Sequence, residues 1–313
     1  MTAARAVAVA VAVAVAAGCG SREAKPRPTA TTVEVADAAA VPSAASAVLS
    51  WAEVEGLARP TIAPGPAAPL EAALALVVDR DVPEALRDVD TTPPPDAIAT
   101  LPPELARAVA GLVTWAQAEG RLPTWSCDPS AAAAQVATVT LARVALALAG
   151  DDGDAPSARA VLYLADRLRA EGPHLLAGAI GTTLAGLVRQ WAVGHGHRPA
   201  PWAARYDLSG ARLVRVIAAE AVCSMRLVAT ADEAALAGEV AAVRGYWQDT
   251  VTAYRDRPAD PSGTDARLAA RDAALRASPE RHPILATVIG PTVRVMTEQF
   301  VDDNAFRTWR DGP

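Results

Sequence analysis

Lysine is almost absent from this chain. Lys25 is the only one, arginine supplies the rest of the 29 basic residues, and 35 acidic residues outweigh them to a net charge of −6. A phosphate-binding surface needs clustered positive charge, so this balance argues against nucleic acid as a partner. Aromatic residues are only 4% of the chain. Ala, Leu and Val must therefore build most of any core, and Ala, Leu and Arg favour helix while sheets draw on β-branched and aromatic residues. Linear catalytic signatures are also missing. There is no H-E-x-x-H, no G-x-S-x-G, no Walker A loop and no dinucleotide fingerprint. A site assembled from distant residues needs no such motif, so an enzyme is left without a signature rather than excluded.

What is present begins at the N-terminus. Arg5 precedes an uninterrupted run of small apolar residues, Ala6 to Ala17. The run is shorter than the roughly 20 residues of a membrane-spanning helix and matches the apolar region of an export signal. It stops at Ala16-Ala17-Gly18-Cys19, which resembles the lipobox of bacterial lipoproteins. The resemblance is confined to the leader. It implies cleavage before Cys19, acyl chains on that cysteine, and a protein held to a membrane of the cell envelope. Gly20 follows where an Asp would signal inner-membrane retention, which implies the outer membrane. Ala16 stands where Leu is usual, so ordinary cleavage near Ala16 or Ala17 and a secreted, unlipidated chain is the alternative.

The domain plan follows: a signal peptide over 1–18, a lipidated Cys19 with a Ser-, Pro- and Thr-rich tether over 19–42, and an all-α domain over 43–313. That domain is expected to be an irregular multi-helix bundle or αα-stack of about ten helices. Helices are expected over 43–58, 67–79, 82–89, 102–119, 129–149, 156–170, 173–193, 208–229, 231–256, 264–277 and 282–309, separated by Pro- and Gly-rich breaks. Ser43, Asp128, Asp207 and Asp265 are the expected N-caps. Thr31–Val35 could form a short strand with no visible partner.

Two helices read as buried. In the first, Ala177, Ile180, Gly181, Leu184, Leu187, Val188 and Trp191 share a face, beside a small-residue stripe of Gly178, Gly181 and Ala185. The stretch Tyr163–Gly181 is similar to uncharacterised exported helical proteins of bacteria, a resemblance that implies no activity and carries over no site residues. In the second, Leu213, Val216, Ile217, Cys223, Ser224 and Leu227 surround Glu220, with Arg212, Arg215 and Arg226 on a separate stripe.

Glu220 is the single catalytic candidate. A carboxylate on an apolar face has a raised pKa unless it is paired, and such groups often serve function. The competing role is an ion pair with an arginine such as Arg189. His195-Gly196-His197 is two short of a four-ligand metal site. Glu171-Gly172-Pro173-His174 has E-x-x-H spacing, but Gly172-Pro173 breaks the helix that would align the pair. Asp151-Asp152-Gly153-Asp154 lacks the distal Glu of a calcium loop, since residue 162 is Leu, and reads as a solvated turn capping the next helix. No cofactor or metal is assigned. Trp125, Trp202, Tyr206, Tyr246 and Trp247 could line a groove for sugars or peptides. With Cys19 given to lipid, Cys127 and Cys223 are left as an even pair in an oxidising compartment, and a disulfide is expected.

The function that follows is a cell-envelope lipoprotein, held to the membrane by its N-terminal lipid, with a helical binding or structural module and an envelope protein or glycan as partner. The alternative is an envelope hydrolase acting on glycan or peptidoglycan with Glu220 as general acid.

Overall fold

The computed structural model describes residues 47–127, 132–229, 237–279, 285 and 292–312. Cys19, the leader, the tether with Thr31–Val35, Ser43, Asp128 and His282 lie outside the described residues. Among those described, eleven α-helices form an all-α fold with no strand, and an isolated parallel bridge joins Gly65 and Gly120. In chain order the helices are α1 (Trp51–Ala58), α2 (Ala68–Ala75), α3 (Pro95–Ala99), α4 (Pro103–Gln117), α5 (Ala132–Ala149), α6 (Pro156–Glu171), α7 (Leu175–Gly194), α8 (Gly210–Ala229), α9 (Ala237–Asp256), α10 (Pro261–Ala277) and α11 (Thr292–Asp311).

Proline writes many of the starts. α2, α3, α4, α6 and α10 each carry Pro at the first or second helical position, where its missing N–H costs nothing. α1 instead starts with a capping box: Ser50 accepts from the Glu53 backbone N–H, and the Glu53 side chain accepts from Ser50 N–H. That Ser-x-x-Glu signal is legible in the sequence, yet of the helix expected over 43–58, residues 47–50 are not helical and α1 starts at Trp51. Two other expected caps are corrected. α10 is capped by Asp260, which accepts from Gly263 N–H at 3.0 Å, and Asp265 instead pairs with Arg257. Asp207 accepts from Ser209 N–H at 2.8 Å in the turn that leads into α8. The helix expected over 82–89 is a single 3₁₀ turn, Glu84–Leu86. So short a stretch cannot offset the entropy of nucleating a helix, and burial of Leu86 and Val89 pins it. The Pro-rich break expected at 91–95 is present over 91–94, and the short helix α3, absent from the expected set, follows it from Pro95.

The core falls into two clusters. α2, α4, α5, α6 and α7 surround the first, and Phe306 of α11 joins it. α1, α8, α9, α10 and the start of α11 build the second. Among the described residues one helix, α5, is long and apolar enough to cross a membrane by length and composition, and more than half of it is buried inside the first cluster. α6 and α7 pack along each other as a hairpin, and α8 lies across both. Small residues set how closely they approach. A Cβ on Gly181 would lie 2.7 Å from the Ala165 carbonyl oxygen of α6, and one on Gly178 would lie 2.4 Å from a Val216 methyl of α8. The expected apolar face of α7 is buried at every position from Ala177 to Trp191.

A buried ion pair ties α6 to α11. Arg169 of α6 is fully buried and donates to both oxygens of Asp303 in α11, at 3.2 and 2.9 Å, and to Tyr206 Oη at 2.7 Å. Both Nη atoms of the guanidinium and both carboxylate oxygens are engaged, so each buried charge has its counter-charge, while Arg169 Nε has no hydrogen-bond partner among the described residues.

Candidate functional site

α8 brings three side chains to the joint between α6 and α7. Helix ends leave backbone groups unpaired and carry partial charge, positive at the N-terminus and negative at the C-terminus. At the end of α6, buried Arg215 donates through Nε to the Arg169 carbonyl at 2.8 Å and through Nη2 to the Gly172 carbonyl. Burial lowers its pKa to about 10, with neighbouring Arg212 adding to the shift. At the start of α7, Glu220 Oε2 accepts from the Leu175 N–H at 2.8 Å, and Ser224 Oγ donates to Oε1 at 3.5 Å. α7 has no cap of its own, because its N-cap residue His174 makes no side-chain capping bond. A cation thus meets the C-terminus of one helix and an anion the N-terminus of the next, both from α8.

Glu220 therefore sits beside a helix terminus rather than an arginine. Arg189 is instead near Asp302, whose carboxyl burial raises and Arg189 lowers. His174 is drawn into the same joint. Its Nε2 accepts from the Gln135 amide at 3.2 Å, and burial lowers its pKa against an opposing pull from Glu220. The third residue is Cys223. It is bonded to Cys127, with Cα atoms 5.5 Å apart, across 96 positions of sequence. The expected disulfide therefore exists, and it ties the turn at 121–127 to α8 beside the Pro173 carbonyl.

The histidine loop and the acidic turn, far apart in sequence, meet in space. His195 Nε2 lies 3.8 Å from Asp151 Oδ1, and His197 packs over Gly153. His195 Nδ1 bonds the Trp191 carbonyl at 2.8 Å. Among the described residues no group of three His, Cys, Asp or Glu is arranged to hold a metal ion. The turn does not cap α6, whose N-cap Ala155 makes no side-chain bond; Asp152 accepts from Asp154 N–H instead. Glu171 and His174 diverge as the Gly172-Pro173 break requires. Glu171 accepts from Ala63 N–H and Leu122 N–H, both at 2.8 Å, and so holds two loops to the end of α6.

The concave feature with the most varied chemistry is a cleft of about 440 Å³ between α4, α6 and the 3₁₀ segment Pro201–Arg205. Its size is within the roughly 300–1,000 Å³ usual for ligand sites. Tyr163 and Trp202 are partly exposed in it, Asp166 and Arg167 lie on its floor, and Arg159 and Arg205 stand exposed at its rim. Pro201 starts the 3₁₀ turn that presents Trp202 and Arg205. Asp166 pairs with Arg167 and, at 3.8 Å, with Arg212, and accepts from Asp207 N–H at 3.4 Å. Tyr163 donates to the Gly120 carbonyl at 3.2 Å, and burial pushes its phenol up to about 12, so it is a neutral donor.

Of the five aromatics expected at a groove, Trp202 and Tyr206 line this cleft. Trp247 and Tyr246 are buried in the second core cluster, and Trp125 packs against the first. Sequence reading missed Tyr163, Asp166 and Arg167. They lie on α6, which is neither of the two helices singled out as buried in the sequence, and no linear feature marks the side they expose. No family model matches the chain, and neither a curated protein nor a solved structure matches it, so its functional reading rests on its own residues.

Proposed function

We propose that this protein is a lipoprotein of the cell envelope, anchored through Cys19, whose helical domain is a binding module working through the α4–α6 cleft. The observation that carries the reading is the convergence there of aromatic and guanidinium side chains in a concavity of ligand size. The Cys127–Cys223 bond agrees with an oxidising compartment. Glu220 supports a module over a hydrolase. Its two oxygens are engaged by Leu175 N–H and Ser224, which is the work of a helix cap.

Saturation-transfer NMR on the mature protein, with short oligosaccharides and peptides as probes, tests the reading. Transfer that vanishes in Trp202→Ala and persists in Glu220→Gln supports it. Transfer unaffected by Trp202→Ala, or absent for every probe, overturns it.

A further inference from the structure

We propose that the ligand of the α4–α6 cleft is a saccharide bearing a carboxylate, an inference that rests on reading this cleft as the working site. The floor and the rim of the cleft differ in charge state. On the floor, Asp166 is committed to Arg167 and Arg212, and the Arg167 guanidinium is taken up by Asp166, Glu171 and the Thr61 carbonyl. This pairing makes the floor electrically quiet. On the rim, Arg205 is exposed and has no ion-pair partner among the described residues, and exposed Arg159 donates to the Asp154 carbonyl at 3.1 Å and lies 3.6 Å from its carboxylate. Two exposed guanidiniums therefore line the cleft, and that of Arg205 is uncommitted. Glu119 is an exposed carboxylate that also lines the cleft.

Each part selects a ligand feature. Partly exposed Tyr163 and Trp202 offer flat, apolar surface with a polar edge, which suits a sugar ring's C–H face. A planar guanidinium binds a carboxylate through two parallel hydrogen bonds, and Arg205 is the one with none already made. Glu119 can only accept, so it fits hydroxyl donors. A peptide is a poorer fit. Extended peptides add to a sheet edge and helical ones lie in a long apolar groove. The described residues contain no sheet edge, and the cleft is short and lined with charge. In a chain of net charge −6, a rim with more positive than negative groups is a local reversal that would draw an anion to this place.

The test is isothermal titration of the mature protein with digalacturonate and with its neutral counterpart, α-1,4-galactobiose. Digalacturonate is expected to bind at least tenfold more tightly. Arg205→Gln, at an exposed site that folding does not need, should remove that preference, and Trp202→Ala should weaken both ligands. Equal affinity for the two sugars overturns the carboxylate inference and leaves the cleft as the site. So does tighter binding of an acidic tripeptide. A preference that survives Arg205→Gln combined with Arg159→Gln places the ligand elsewhere, and absence of binding by sugar and tripeptide alike removes both the inference and the cleft reading beneath it.

Discussion

Glu220 draws its meaning from the backbone it faces. Read along the chain it is a carboxylate stranded on an apolar helix face, the usual mark of a perturbed acid. In the fold it answers the positive end of α7, where Leu175 N–H would otherwise lack a partner. Glu220→Gln keeps an acceptor oxygen but loses the charge, and should lower stability by about 1 kcal/mol while leaving cleft binding unchanged. Urea denaturation measures the first and NMR titration the second; a fully stable variant that loses binding contradicts the capping role. His174 beside it gives this joint a pH dependence. Burial lowers its folded pKa below the ordinary 6.5, so the unfolded chain takes up its proton first. Its contribution to stability is therefore full above about pH 7 and is lost as pH falls through 6.5 toward the lower folded value. His174→Gln should flatten the melting temperature between about pH 5 and 7 relative to the parent protein. Equal slopes for the two proteins would show that the imidazole does not titrate differently on folding.

At the scale of elements, α7 carries its own control experiment. Gly181 and Gly186 are both interior to this helix, and the glycine-to-alanine change favours helix by roughly 0.5–1 kcal/mol where space allows. Gly186 has nothing within 4 Å of a built Cβ, whereas at Gly181 that atom would be 2.7 Å from the Ala165 carbonyl, which cannot move without bending α6. Gly186→Ala should raise the denaturation midpoint, and Gly181→Ala should cost about 1–3 kcal/mol through overpacking. Stabilisation by both changes would mean the helices are not seated on Gly181. This close approach is legible in the sequence, because a small-residue stripe beside an apolar face needs only helical periodicity to be seen. The helices themselves are legible for the same reason, with Pro and Gly marking most of their ends. The cleft is not. It is made by α4, α6 and a 3₁₀ turn that starts at Pro201, 30 residues after α6 ends at Glu171, and Tyr163, Asp166 and Arg167 become a site only once the fold brings Trp202 beside them. The Arg169–Asp303 pair is equally silent, because its partners are 134 residues apart and nothing local marks either as buried.

The whole molecule is bound by constraints at different ranges. The ion pair at Arg169 joins α6 to α11 through electrostatics, and the disulfide joins the 121–127 turn to α8 through a covalent bond. Cross-linking 96 positions of chain restricts the unfolded state. The chain-entropy model puts the effect near 4–5 kcal/mol as an upper figure, so reduction should lower the denaturation midpoint well beyond any single cap variant. The cysteines also let the envelope reading be tested by counting. With Cys19 acylated through its sulfur and Cys127 bonded to Cys223, unfolded mature protein should present no free thiol before reduction and two after it. Expressed with its own leader in a Gram-negative host, the protein should partition into detergent, and Cys19→Ser should move it to the soluble fraction with the disulfide intact. A mature N-terminus at residue 17 or 18 without acyl mass would instead make it a secreted protein, and three thiols would then appear on reduction. The cleft and the bridge do not turn on that outcome, because the residues that form them lie between Val113 and Cys223. What changes is how the ligand is met: a tethered domain samples the membrane surface at high local concentration, and a free one must find its ligand by diffusion.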